Sequence, residues 1–366
     1  MPRPHVVLEG DFRVPTSLAL INRELGRRLA VHPAFDFTAV EHALPDLRVE
    51  IAPELTGCMV APDQLAGTPD VRIWHRWPPA LQRLPARRFI LMQPWEFGEL
   101  PIAWRDAALD EVDQIWAYSG YVKGIYERAG IPPEKVVVVP LGVDPERFTP
   151  QGPKLDLPAR GLRALFVGGS IRRKGIDVAV NAFLTAFSAS DDVTLVIKDF
   201  AQLYPTNNLG AQVAEIAARD GVAHILYYDG MLTDADVAAL YRSCDVFLAP
   251  YRGEGFGLPV LEAMACGLPV IVTAGGATDD FVDDAVGFRI AASRSYYPPG
   301  QGPSEMVASG WLLEPNGGDV VTALRRCFED RGLRERLGSA AAARARTWTW
   351  DRTGAIACEA IATASR

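Results

Sequence analysis

The chain of 366 residues is 49% hydrophobic and 22% charged, with a formal net charge of −8. That length predicts two or three domains with sizeable cores, and the acidic balance argues against a general nucleic-acid binder. Five scattered cysteines, Cys58, Cys244, Cys266, Cys327 and Cys358, show no CxxC spacing, so a reducing cytosol is expected rather than a disulfide framework or a zinc site.

Residues 6–8, Val-Val-Leu, read as a first buried strand, turned by Gly10. Residues 17–30 follow with Leu18, Ile21, Leu25 and Leu29 at helical spacing. Strand, glycine turn and helix open a parallel α/β unit; a lone Gly10 fits a plain turn equally well. Residues 70–79 and 88–98 each read as a short strand running into a loop. Ligands bind at such loops in parallel sheets, which puts His75, Gln93, Trp95 and Glu96 within reach of a substrate. Half-exposed packing is the competing reading for His75 and Trp77. Glu96 lies between Trp95 and Phe97, as a partly desolvated carboxylate suited to proton transfer, beside rings that could stack on a sugar. Residues 113–119 predict a strand ending at the N-cap Ser119, then a helix over 120–129 closing at Gly130. Residues 135–140 form another buried strand. Residues 145–163, rich in Pro, Gly and charge, predict a linker between domains.

The second half restarts the plan. Residues 165–170 predict a strand, and Arg172-Arg173-Lys174-Gly175 places three cations before a helix at 176–187. Such a run suits a pyrophosphate or is plain surface charge; the neighbouring Gly168-Gly169 favours the former. Strands are expected at 193–198, 224–228, 245–250 and 268–273, and a helix at 234–242. Residues 291–310 break the pattern and predict a long loop. Helices at 320–329 and 333–346 and a helical stretch of small residues end the chain.

Between two of these strands lies Glu254-Gly-Phe-Gly-Leu-Pro-Val-Leu-Glu262. Pro259 suits a first helical turn, and the helix should run over 259–266 and stop at Gly267. Glu254 then precedes the helix start and Glu262 sits one turn inside. The amides of Gly257 and Leu258 and the helix dipole favour an anion there. The flanking carboxylates would bind hydroxyls attached to that phosphate.

Residues 245–270, with 136–144 and 166–175, resemble the retaining nucleotide-sugar glycosyltransferases of family 4 and their E-x7-E signature. The similarity spans most of 110–290. It implies an α/β protein of GT-B architecture, two Rossmann-like domains with parallel sheets facing across a cleft. Residues 1–150 would bind the acceptor and 151–345 the nucleotide sugar, while the helix in 346–366 packs back toward the N-terminal domain. By the resemblance, Glu262 bonds the donor's ribose and Glu254 the transferred sugar. The backbone of Gly255, Phe256, Gly257 and Leu258 holds sugar and diphosphate, and Gly169, Arg173 and Lys174 complete the diphosphate site. Glu254, Lys174 and Arg173 form the implied catalytic set; Gly10, His75, Gln93, Trp95 and Glu96 are the acceptor-side candidates. Gly169 stands where many members carry Arg, and Gln93 where many carry a His that contacts the transferred sugar.

The implied reaction moves a sugar from a nucleoside diphosphate to an acceptor hydroxyl with retained configuration. It needs neither a metal nor a cofactor beyond the nucleotide-sugar co-substrate. The acceptor is a glycan, a lipid or a small molecule. A phosphorylase or epimerase of the same architecture, or a non-catalytic sugar-nucleotide binder, is the alternative. No apolar run approaches the ~18 residues of a membrane span, and residues 1–8 lack a signal peptide's apolar core. A cytoplasmic protein is expected, with peripheral contact at the inner membrane face left open.

Overall fold

The computed structural model describes residues 3–42, 49–200, 209–297 and 305–363. Its N-terminal sheet is built from β1 (His5–Gly10), β2 (Asp36–Glu41), β3 (Met59–Val60), β4 (Val71–His75), β5 (Arg88–Met92), β6 (Gln114–Ala117) and β7 (Val136–Val138). They pair in parallel in the order β3-β2-β1-β4-β5-β6-β7. Apolar strands such as β5 and β6 are covered on both faces, the usual condition of parallel sheets. The connecting helices are α1 (Ser17–Ala30), α2 (Pro53–Thr56), α3 (Ile102–Asp110) and α4 (Gly120–Arg128). Thr16 and Ser119 cap α1 and α4 through their hydroxyls.

The second sheet holds β8 (Leu162–Val167), β9 (Val193–Lys198), β10 (His224–Tyr228), β11 (Val246–Ala249), β12 (Val270–Thr273) and β13 (Gly287–Ile290). These are also parallel, in the order β10-β9-β8-β11-β12-β13. Helices α5 (Ile176–Ala186), α6 (Leu209–Ala217), α7 (Asp234–Arg242), α8 (Leu258–Ala265), α9 (Gly317–Glu329) and α10 (Arg331–Ala345) accompany it. Two parallel α/β sheets, each with its own helices, are the architecture the sequence implied.

The chain passes between the sheets twice. Residues 144–161 form neither helix nor strand, and Arg242 holds them by donating to the carbonyls of Pro153 and Arg147 at 2.7 and 3.1 Å. The return is made before α11 (Trp350–Thr363), where Val143 N donates to the Trp348 carbonyl at 2.9 Å. Helix α11 then lies on α1, with Arg28 Nε donating to Asp351 at 2.8 Å and Thr353 Oγ1 to the Pro140 carbonyl at 2.8 Å.

One expectation needs correction. Residues 291–310 are not a continuous loop: β14 (Ala292–Tyr296) pairs antiparallel with β15 (Trp311–Pro315), while 298–304 fall outside the described residues. The polar segment Ala-Ser-Arg-Ser-Tyr carries little strand signal of its own. It is held by the apolar Trp-Leu-Leu of β15, which is buried. This hairpin reaches the N-terminal domain. Gly98 N donates to the Trp311 carbonyl, Val307 N to that of Leu100, and Ile102 N to that of Glu305, each at 2.9 Å.

Candidate active site

Helices α5 and α8 both start at a glycine in the left-handed region, Gly175 (φ 76°) and Gly257 (φ 94°). A side chain at Gly175 would also collide with the Pro250 carbonyl. Neither glycine can cap its helix through a side chain; the first amides of α8 keep their capacity for an anion, while at α5 the Asp177 carboxylate of the first turn takes the amides of Asp177 and Val178. Lys174, which precedes α5, borders the same pocket as Gly257, Pro259 and Val260 of the α8 start.

The charges at this place come in pairs. The Lys174 ammonium contacts the Glu254 carboxylate across the pocket. Arg173 donates through Nη1 to the Gly253 carbonyl at 2.9 Å and lies 3.2 Å through Nη2 from Glu96 of the other domain. The Arg173 carbonyl accepts from Arg252 N at 2.7 Å, which stitches the two loops together. Glu262, one turn into α8, accepts from Tyr241 Oη at 2.9 Å. Burial and then the Glu262 charge push the Tyr241 hydroxyl well above its ordinary range, so it stays a donor. Gly169 sits between β8 and α5, and the next residue, Ser170, is held by Asp199. That buried carboxylate accepts from Ser170 N at 2.8 Å, Tyr227 Oη at 2.5 Å and Phe200 N at 2.6 Å. Sequence reasoning passed over Asp199, whose only mark is its place after a strand.

The backbone of Gly255, Phe256, Gly257 and Leu258 lines the junction between domains. Ser119 Oγ donates to the Gly255 carbonyl at 2.8 Å, and Gly120 N to Asp280 at 2.8 Å. Burial raises the Asp280 carboxyl above its ordinary value. Gly253 allows a close approach: a Cβ there would collide with the Glu96 carbonyl. Phe256 is buried against Phe281 and Trp348.

The acceptor-side candidates divide. Gly10 ends β1 beside His75, which ends β4. His75 is fully buried, with Nδ1 2.5 Å from Asn22 Oδ1 and Nε2 bonded to the Tyr118 hydroxyl. Asn22 Oδ1 can only accept, so Nδ1 carries the proton and Nε2 accepts from Tyr118. Burial lowers the ring's pKa from 6.5 to about 3. His75 is therefore neither within reach of a substrate nor half-exposed packing, the two readings the sequence allowed, but a closed, neutral network member. Trp95 is also buried, its indole N–H given to the Glu99 carbonyl at 2.7 Å and its ring packed on Phe97 and Trp104 rather than open to a sugar. Glu96 is brought to Arg173. Gln93, at the end of β5, is fully buried, and neither atom of its amide has a partner. An orphaned buried amide is costly and rare, and among the acceptor-side candidates Gln93 is the one whose buried polar atoms have no partner. Among the described residues no group of three or more His, Cys, Asp or Glu is placed to hold a metal ion, and no helix is long and apolar enough to cross a membrane.

Comparison with known proteins agrees with this geometry. Residues 13–147 match the model Glycosyltransferase Family 4 and residues 161–298 the model Glycosyl transferases group 1. The D-inositol 3-phosphate glycosyltransferase of Salinispora tropica is 31% identical over 266 residues, 66% of this chain and 49% of that protein. The protein of that name from Arthrobacter sp. strain FB24 is 30% identical over 232 residues, 62% of this chain and 49% of its own. The chain thus spans about half the length of the curated relatives it matches. Among solved structures, Anabaena HepE in complex with UDP and glucose superposes with a TM-score of 0.69 at 14% identity, over 99% of this chain and 100% of that one. Sucrose-phosphate synthase of Thermosynechococcus elongatus gives 0.69 at 17% identity, over 99% of each chain. At such identities the likeness speaks for the fold. With both halves matched by glycosyltransferase models and the two sheets matched along their length, the chain belongs to glycosyltransferase family 4 and has the GT-B fold.

Proposed function

We propose that this protein transfers a glycosyl unit from a nucleoside-diphosphate sugar to an acceptor hydroxyl, with retention of anomeric configuration. The observation that carries the reading is the meeting of Lys174 and Arg173 with the α8 start, which lacks a side-chain cap, flanked by Glu254 and Glu262. Cations and free amides suit a diphosphate; carboxylates beside them suit sugar and ribose hydroxyls. Glu254 accepts from the transferred sugar, Glu262 from the ribose, and Gln93 offers its unpartnered amide to a sugar hydroxyl from the opposite side.

In the reaction the bond between C1 and the β-phosphate oxygen breaks. A bond from the acceptor oxygen to C1 forms on the same face, and the acceptor proton goes to the leaving phosphate oxygen. Lys174, Arg173 and the α8 start stabilise the charge that gathers there, commonly the dominant catalytic term. This route asks no side chain to act as base, in keeping with a His75 whose two nitrogens are engaged. Glu96, tied to Arg173, orients that cation.

The relatives' name and the neighbour holding UDP and glucose make uridine-diphosphate sugars and D-inositol 3-phosphate the first donors and acceptor to try. Saccharide, lipid and small-metabolite acceptors complete the panel. Thermal shift against uridine-, guanosine- and adenosine-diphosphate sugars should single out a donor. Acceptor-dependent release of the nucleoside diphosphate should follow, with the donor's anomeric configuration kept in the product by proton NMR. An inverted product, or a glycosyl-enzyme adduct trapped by mass spectrometry, would overturn the mechanism.

A further inference from the structure

We propose that Arg252 is a positioning residue of this transfer, holding the loop of Arg173 and Lys174 in register with Glu254 and fastening both to the inserted hairpin. The inference rests on the transferase reading above. Arg252 is 5% exposed. Its guanidinium grips Asp177 through Nη1 and Nη2 at 2.7 and 2.8 Å, and Glu314 through Nε and Nη2 at 2.7 and 2.9 Å. Nη1 also donates to the Arg172 carbonyl at 2.8 Å. A guanidinium has five N–H donors in a fixed plane, and these bonds engage that many.

Each partner belongs to a different part of the site. Asp177 lies in the first turn of α5, one of the two helix starts beside the anion seat. Arg172 begins the cation loop. Glu314 is on β15, whose Trp311 carbonyl receives Gly98 N from the N-terminal domain. The Arg252 backbone repeats the connection: its N–H goes to the Arg173 carbonyl at 2.7 Å and its carbonyl accepts from Leu313 N at 2.8 Å. Gly253 and Glu254 follow directly, and the Gly253 carbonyl receives Arg173 Nη1. Arg252 itself does not border the pocket between Lys174 and Glu254, so its effect on a donor passes through those neighbours. Lysine cannot reproduce two planar forks at once.

The test compares the wild type with Arg252→Lys, binding whichever of uridine, guanosine or adenosine diphosphate the wild type holds tightest and, separately, its monophosphate. Diphosphate affinity should fall several-fold, monophosphate affinity should stay level, and turnover should fall by about tenfold or more, as misplacing reacting groups does. Combined with Arg173→Ala, the Arg252→Lys loss should largely vanish, because the two act as one unit. Equal losses for both nucleotides, or losses that add to those of Arg173→Ala, would reduce Arg252 to a structural ion pair and overturn the proposal. If Arg252→Lys does not fold, Glu314→Gln removes one fork at a side chain 35% exposed, and the same readouts apply. A wild type that binds no nucleoside diphosphate and releases none from any donor would instead sink the transferase reading, and this proposal with it.

Discussion

The two domains bring opposite chemistry to the same cleft. On the C-terminal side the loop ends carry formal charge set at two helix starts, Lys174 paired with Glu254 of the same domain and Arg173 with Glu96, the one carboxylate that reaches this site from the N-terminal domain. On the N-terminal side, apart from Glu96, the inner groups are neutral and sealed from water: His75 and Tyr118 at strand ends and Asn22 of α1 are satisfied by one another, with Gln93 left over. Both sheets are parallel and both present strand C-termini, so topology alone does not separate them. A diphosphate demands charge and free amides, which short contiguous loops supply. A sugar or acceptor is held by shape and single hydrogen bonds, which residues far apart in sequence supply.

The contrast can be broken at either side. The largest effect is expected from Glu254→Gln, which removes the carboxylate facing Lys174 and should lower turnover about 10²–10³-fold, the scale for losing one electrostatic contact of the transition state. Its unfolding midpoint should stay close to the wild type's. A variant of near-normal rate would leave the charged side without its assigned role.

The sealed network should act on stability instead. His75 is neutral when folded, its pKa lowered by burial from 6.5 to about 3. An unfolded chain takes up that proton below its ordinary pKa, so the stability is full above pH 6.5 and declines as pH drops through the window toward 3. The decline from this one group reaches at most ~1.4 kcal/mol per pH unit. Urea unfolding at about pH 7 and about pH 5 reads it, and His75→Gln should flatten the dependence. An unchanged slope would mean that the ring is not the titrating group.

Gln93→Leu gives the smallest and most diagnostic change. Replacing an orphaned buried amide by an apolar side chain should leave stability level or raise it, by as much as ~1–3 kcal/mol. Turnover should nonetheless fall by about tenfold, roughly one hydrogen bond to the substrate. A destabilised variant of full activity would reverse the assignment and make Gln93 a packing residue.

The same asymmetry governs what could be read from the sequence. The proposed donor side was legible because its parts are local. Glu254, Gly257, Pro259 and Glu262 lie within one turn and one helix, and the helix begins one residue before Pro259, at Leu258. Strands and helices with clear periodicity, such as α1, β9 and α7, fall where their apolar spacing puts them. The proposed acceptor side was not legible in the same way. Position after a strand marked both His75 and Gln93, yet only tertiary contacts separate them: Asn22 and Tyr118 reach His75 from 53 and 43 residues away. Arg252 reads as one more arginine beside a turn until Asp177 and Glu314 close on it. Strand β14 went unread because its partner β15, beyond residues 298–304, supplies the apolar half of the pair.

The most direct test is a crystal structure with the nucleoside diphosphate that binds tightest. We expect the diphosphate between Lys174 and the α8 start, with Arg173 within hydrogen-bond distance, the Lys174–Glu254 contact opened and Glu262 on the ribose. A nucleotide bound away from Lys174 and the α8 start, or a diphosphate held through a metal ion with both cations still on their carboxylates, would contradict the assignment of the C-terminal side as the donor site.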